Sequence, residues 1–190
     1  MIPKKEFYFI RHGQTDHNLL DGLEKGDHPF DIPLNATGKQ QAITIEPIIS
    51  RLPIQTICAS PMTRVQETKD IIAARLTAPH HIIDELSECS SRLWKEMVRL
   101  EMHSTLPAEG EVRIFMERVR KGIDHALSLP GPVLIVAHGG VHWATCCLMN
   151  IKTYEWRIEN CGLVHFSIGT QGEWTAKKLQ SRAKDKTPQH

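Results

Sequence analysis

The chain has no apolar run long enough to cross a bilayer or to serve as a secretory leader. The N-terminal one, at residues 7–10, is too short for either. A soluble cytoplasmic protein is expected. Charge of one sign is also missing: 23 Lys plus Arg stand against 22 Asp plus Glu, a net charge of +1. That balance removes the broad positive field of a nucleic-acid or anionic-membrane binder, so neither partner is expected and any attraction for anions must be local. The five cysteines, Cys58, Cys89, Cys146, Cys147 and Cys161, are odd in number and lack any C-x-x-C spacing. They read as free thiols in a reducing compartment. His138 and His142 have the i, i+4 spacing of a helical metal pair, but no Glu follows His138 as the hydrolytic H-E-x-x-H pattern requires. No metal and no cofactor are expected.

What is present is ordinary globular material. A hydrophobic fraction of 41% in 190 residues is enough to bury one core without disulfides. Residues 6–11 read as a buried strand that breaks at His12-Gly13. Thr37 to Gln40 has capping-box spacing, and Ala42, Ile45, Ile49 and Leu52 repeat at helical intervals, with a kink expected at Pro47. Residues 55–59 predict a second strand, and Ser60-Pro61 predicts the cap and first residue of a helix running to about Leu76. A weaker strand covers 81–83, the stretch 92–102 is ambiguous, and 110–129 is helical. Residues 133–137 are the most strand-like in the chain and end at His138-Gly139-Gly140, with a helix starting near Val141. Late strands are expected at 163–168 and 174–178. One domain is expected over residues 1–179, and the polar tail at 180–190 reads as disordered.

Strands alternating with helices imply an α/β fold of three layers, a mostly parallel central sheet with helices on both faces. Ligands bind such sheets outside the carboxyl ends of the strands. His12, Arg64, Glu88 and His138 each follow a different strand, so the topology gathers four distant polar residues on one edge.

Three separated motifs carry a resemblance: Arg11-His12-Gly13-Gln14-Thr15 with Asn18, then Ser60-Pro61-Met62-Thr63-Arg64, then Ala137-His138-Gly139-Gly140. With Asp31-Ile32-Pro33-Leu34, Leu86-Ser87-Glu88 followed by Trp94, and Glu109-Gly110-Glu111 in the same order, the chain resembles the histidine phosphatase superfamily, with its phosphoglycerate mutase-like fold. The resemblance implies a metal-independent phosphomonoesterase acting on a small phosphorylated metabolite through a phosphohistidine on His12. It also implies that Glu88 protonates the leaving alkoxide and then helps water attack the adduct. Glu85 competes for that role but does not occupy the matching position.

The residue types suit the task. Arg11 and Arg64 stay protonated and can grip phosphate oxygens bidentately, and His138 is expected to add a donor as imidazolium. A like charge ~4 Å from His12 costs ~4 kcal/mol at an effective dielectric of 20, which disfavours protonation of the nucleophile. A backbone carbonyl is expected to accept its other ring proton. Thr15 and Asn18 match phosphate-binding positions or cap the nearby helix, and Gly139 and Gly140 either let backbone approach phosphate or permit a tight turn. Arg92 stands where the family usually shows an aromatic and glycines; it meets a second anionic group of the substrate or is simply solvated. His142, His80, His81 and the tryptophans read as packing or surface. Three other readings stay open: phosphoglycerate mutase-type transfer, a protein phosphatase, and a non-catalytic phospho-ligand module. The short stretch between Trp94 and Glu109 favours hydrolysis over a mutase. Oligomeric state is not legible.

Overall fold

The computed structural model describes residues 2–19, 31–99, 109–151 and 157–179. In chain order these form β1 (Phe7–Arg11), α1 (Asp16–Leu19), α2 (Ala36–Ile49), β2 (Thr56–Ala59), α3 (Thr63–Ile72), β3 (His80–Ile82) and a 3₁₀ turn (Asp84–Leu86). Then follow α4 (Ser91–Arg99), α5 (Glu111–Ser128), β4 (Val133–Ala137), α6 (Gly139–Leu148), β5 (Leu163–Ile168) and β6 (Trp174–Lys178). The strands make one sheet in the order β3-β2-β4-β1-β5-β6. The first four are parallel, and β5 and β6 add an antiparallel edge beside β1.

The β4 run, Val-Leu-Ile-Val-Ala, is buried at every position because both of its faces are covered. Phe7, Phe9, Val133 and Ile135 point to the layer built by α4, α5 and α6. Tyr8, Ile10, Leu134 and Val136 point to the layer of α2 and α3. The three-layer α/β architecture anticipated above follows from that alternation. Among the described residues no helix is long and apolar enough to cross a membrane.

Several boundaries differ from the sequence expectation. The cap of α2 is Asn35, whose side chain accepts the Gly38 N–H, so Thr37 lies inside the helix. Pro47 falls in its last turn. The cap of α3 is Met62 rather than Ser60, and the helix ends at Ile72, short of Leu76. Ser60 Oγ accepts the Met62 N–H just before the helix and meets His138 from the end of β4. The ambiguous stretch forms α4, which buries Leu93 and Met97. The expected tail at 180–190 and part of the stretch between Trp94 and Glu109 lie outside the described residues.

One close contact sets the loop that follows β1. Gly13 and Gly38 lie against each other: a Cβ at Gly38 would sit 2.1 Å from the Gln14 carbonyl oxygen, and one at Gly13 would sit 2.5 Å from that of Gly38. The first turn of α2 is thus pressed onto the loop after His12. The Gln14 carbonyl accepts from Asn35 N at 3.1 Å, and Gln14 N donates to Gln41 Oε1 at 2.9 Å.

A Gly38→Ala substitution tests this packing. Helix propensity alone favours Ala by about 1 kcal/mol, whereas overpacking against backbone costs about 1–3 kcal/mol. Because the obstructing atom is backbone, the clash wins, and urea unfolding is expected to show a net loss of stability; a gain would mean that the loop yields.

Candidate active site

Three adjacent central strands end at the site. Arg11 pairs with Ala137 in the β1–β4 register and Ala59 with Val136 in β2–β4, so His12, Ser60 and His138 leave the sheet side by side. Backbone bonds tie these ends together: His12 N donates to Ala137 O at 3.0 Å and Ser60 N to Val136 O at 3.1 Å.

His12 is buried, and its ring protonation is fixed by its partners. The Gly13 carbonyl can only accept, so Nδ1, 2.7 Å away, carries the proton. Arg64 Nε donates to Nε2 at 3.3 Å, so that nitrogen presents its lone pair. Burial first, then the Arg11 and Arg64 guanidiniums, hold the His12 pKa well below its ordinary value, against a smaller opposing effect of the Gly13 bond. Neighbouring cations, the cause expected from sequence, contribute, but desolvation is the larger cause.

The two guanidiniums are set by separate devices. Arg11 Nη1 donates to the Ile158 carbonyl at 2.9 Å. Arg64, in the first turn of α3, is buried, with Nη1 3.6 Å from Asp31 Oδ1. Asp31 also accepts from the Thr63 backbone and hydroxyl, which locks it onto α3.

His138 is fully buried, with its ring centroid 5.3 Å from that of His12. Its Nε2 is 2.8 Å from Ser60 Oγ. Burial, followed by His12, Arg64, Arg11 and Arg118, pushes its pKa well below the ordinary value. That direction disfavours the expected imidazolium while the site is empty, because nothing among these neighbours compensates a buried positive charge.

Glu88 reaches the same place from the loop before α4. Its Oε2 accepts the Gly140 N–H at 3.0 Å, at the start of α6, and its Oε1 accepts from Cys89 N at 3.0 Å. A Cβ at Gly140 would lie 2.3 Å from Glu88 Oε1, so any larger residue there would displace the carboxylate. Arg118 on α5 clasps the loop from behind: it donates to the Glu85 carbonyl at 3.2 Å and the Glu88 carbonyl at 3.4 Å, and lies over the Phe115 ring. Glu88 borders a cavity of about 280 Å³ together with Leu93, Phe115 and Glu111. Glu85 instead lines a separate groove with Glu117 and Lys121.

The remaining residues divide. Gly139 lies on Arg11, with a Cβ position 3.7 Å from its Nε. Asn18 Oδ1 accepts from Thr15 N and Thr15 Oγ1, and also from Asn160 Nδ2 at 3.1 Å. Asn160 Nδ2 donates in addition to the His12 carbonyl at 3.1 Å. Cys161, with φ of 54°, turns the chain so that its N–H meets the carbonyls of Arg11 and His12. Arg92 is not gathered with these groups; it is exposed and paired with Glu111. His142 packs on Phe9 and Phe166. Arg118 and Asn160 hold backbone carbonyls around these groups, and Ser60, expected as a helix cap, meets His138 instead.

The profile of the histidine phosphatase superfamily (branch 1) matches residues 7–182. Agropine synthesis reductase of Rhizobium rhizogenes is 30% identical over 185 residues, 93% of this chain and 42% of its own length. The chain therefore spans less than half of that relative. A Bacillus subtilis (strain 168) protein named "Uncharacterized phosphatase PhoE" is 28% identical over 178 residues, 80% of this chain and 91% of its own. Among solved structures, the Alpha-ribazole Phosphatase from Shigella flexneri has the same fold, with a TM-score of 0.64 at 24% identity over 94% of this chain and 98% of that one.

The depressed imidazole pKa values fix a sign for stability. Both rings stay neutral in the fold while the unfolded chain takes up protons near pH 6.5, so the unfolded state binds more protons below that pH. The contribution is fully present above pH 6.5 and is lost on acidification, with a limiting slope of about 1.4 kcal/mol per pH unit for each ring. Urea unfolding of wild type and of a His12→Gln/His138→Gln variant between pH 7.5 and 5.5 should show the steeper decline in wild type; parallel curves would contradict neutral burial.

Proposed function

The chain belongs to the histidine phosphatase superfamily (branch 1), and from that premise we propose that it hydrolyses the phosphate monoester of a small metabolite through a phosphohistidine on His12. The observation that carries this reading is the His12 ring: Nδ1 is locked on the Gly13 carbonyl, and the Nε2 lone pair faces a guanidinium in a buried site. A nucleophile in that state needs no base to free it, and the cation that restrains its lone pair is the group that would grip the arriving phosphate.

In the first step Nε2 attacks phosphorus, the bond from phosphorus to the ester oxygen breaks, and Glu88 gives its proton to the departing alkoxide. In the second, Glu88 takes a proton from water as the water oxygen attacks the adduct, and the N–P bond breaks to release inorganic phosphate. Arg11 and Arg64 hold the equatorial oxygens through both steps, and His138 supplies a further donor. Asn18 has its Oδ1 engaged by Thr15 and Asn160, which turns its amide nitrogen to the task of ligand contact; Thr15 supports it. Arg92 has no part in this scheme, since it pairs with Glu111.

Two measurements test the reading. Rapid quenching with a ³²P-labelled ester should trap acid-labile phosphate on the wild-type protein and none on His12→Ala, with stoichiometric release of inorganic phosphate. Phosphoryl exchange between positions of a glycerate without release would indicate a mutase instead. Glu88→Gln should lose about 10²- to 10⁴-fold in kcat/KM on alkyl phosphates while largely sparing p-nitrophenyl phosphate; equal losses on both would remove the general acid.

A further inference from the structure

The bond between Ser60 and His138 has only one arrangement that satisfies the groups around it. Both side chains are completely buried, and Nε2 and Oγ are 2.8 Å apart. Ser60 Oγ also accepts the Met62 N–H, at 3.4 Å. His138 Nδ1 is buried with no hydrogen-bond partner among the described residues.

If Nε2 carried the ring proton, it would donate to Oγ. The hydroxyl would then accept twice, its own hydrogen would have no acceptor, and the bare Nδ1 lone pair would be a second unsatisfied group. If instead the hydroxyl donates to Nε2, Ser60 is fully used, and the sole group left open is an N–H on Nδ1. Native interiors keep such orphans to a minimum, which selects the second arrangement. An open, buried N–H beside the His12 ring is the complement of an anionic oxygen.

We infer that Ser60 is a positioning residue that holds His138 as its Nδ1–H tautomer, so that this ring offers a phosphoryl oxygen a directed N–H from Nδ1. The assignment deepens the proposed function and rests on it for the identity of the ligand. The tautomer itself does not depend on turnover. The consequence is a division of labour: the guanidiniums bring the positive charge, and His138 brings direction without adding a cation next to the nucleophile.

Long-range ¹H–¹⁵N spectra of the full-length protein at pH 7.5, with the His138 signals assigned by their loss in His138→Gln, read the tautomer directly. Nδ1 is expected in the pyrrole-like range and Nε2 in the pyridine-like range. A protonated Nε2, alone or with Nδ1 protonated as well, would overturn the inference, and this arm needs no variant at Ser60. Orthovanadate and inorganic phosphate titrations give the second readout: Ser60→Ala should raise Kd about ten- to a hundredfold, as for loss of a hydrogen bond to a charged ligand, and mix the tautomers, with both effects reversed in Ser60→Thr. Unchanged Kd and tautomer in a folded Ser60→Ala would count equally against it. A chain that keeps the Nδ1–H tautomer but turns over no phosphate ester would defeat the proposed function and leave this assignment standing.

Discussion

Removing imidazole from water is the constraint on which the rest of this structure depends. His12 and His138 lie at the ends of neighbouring parallel strands, and burial is the first cause of the low proton affinity of each. Desolvation and two nearby guanidiniums act in the same direction, and both favour the neutral rings. An exposed pair at the same strand ends would titrate near their ordinary values and leave a nucleophile competing with protons. The three-layer architecture supplies the burial: β4 and β1, covered on both faces, carry the rings to the sheet edge without giving them to solvent.

Neutral rings would be of little use with free tautomers. Gly13 fixes one by offering only an acceptor, and Arg64 completes it by offering only donors. One device is the next residue in the chain, and the other comes from the segment after β2, on the far side of β4 in the sheet. The same economy recurs at Glu88, whose two oxygens take one N–H from its own loop and one from the start of α6. Arg118, half-buried on α5, braces that loop through its carbonyls.

The fold was largely legible because its signals are local. Alternating strands and helices, apolar runs at β1 and β4, and glycine after each strand-end histidine mark the architecture and the sheet edge. Errors fell where a tertiary partner decides the outcome. Thr37 has the right spacing for a cap, but Asn35 wins it by lying next to Gln14, to which it also bonds. Ser60 has the right type for a cap, but β4 brings His138 to it first. Arg118 and Asn160 were invisible for a related reason: each acts on backbone carbonyls, and a carbonyl leaves no mark on the sequence. Arg92 was singled out by its departure from a pattern, and the nearby Glu111 accounts for it.

The seam between Gly13 and Gly38 has an evolutionary corollary. A Cβ at either position would meet backbone, which no change of side-chain rotamer can move aside. A substitution at one glycine cannot be absorbed by resizing the other, so descendants keep or lose the pair together with the course of the chain, a stricter inheritance than a contact between two side chains imposes.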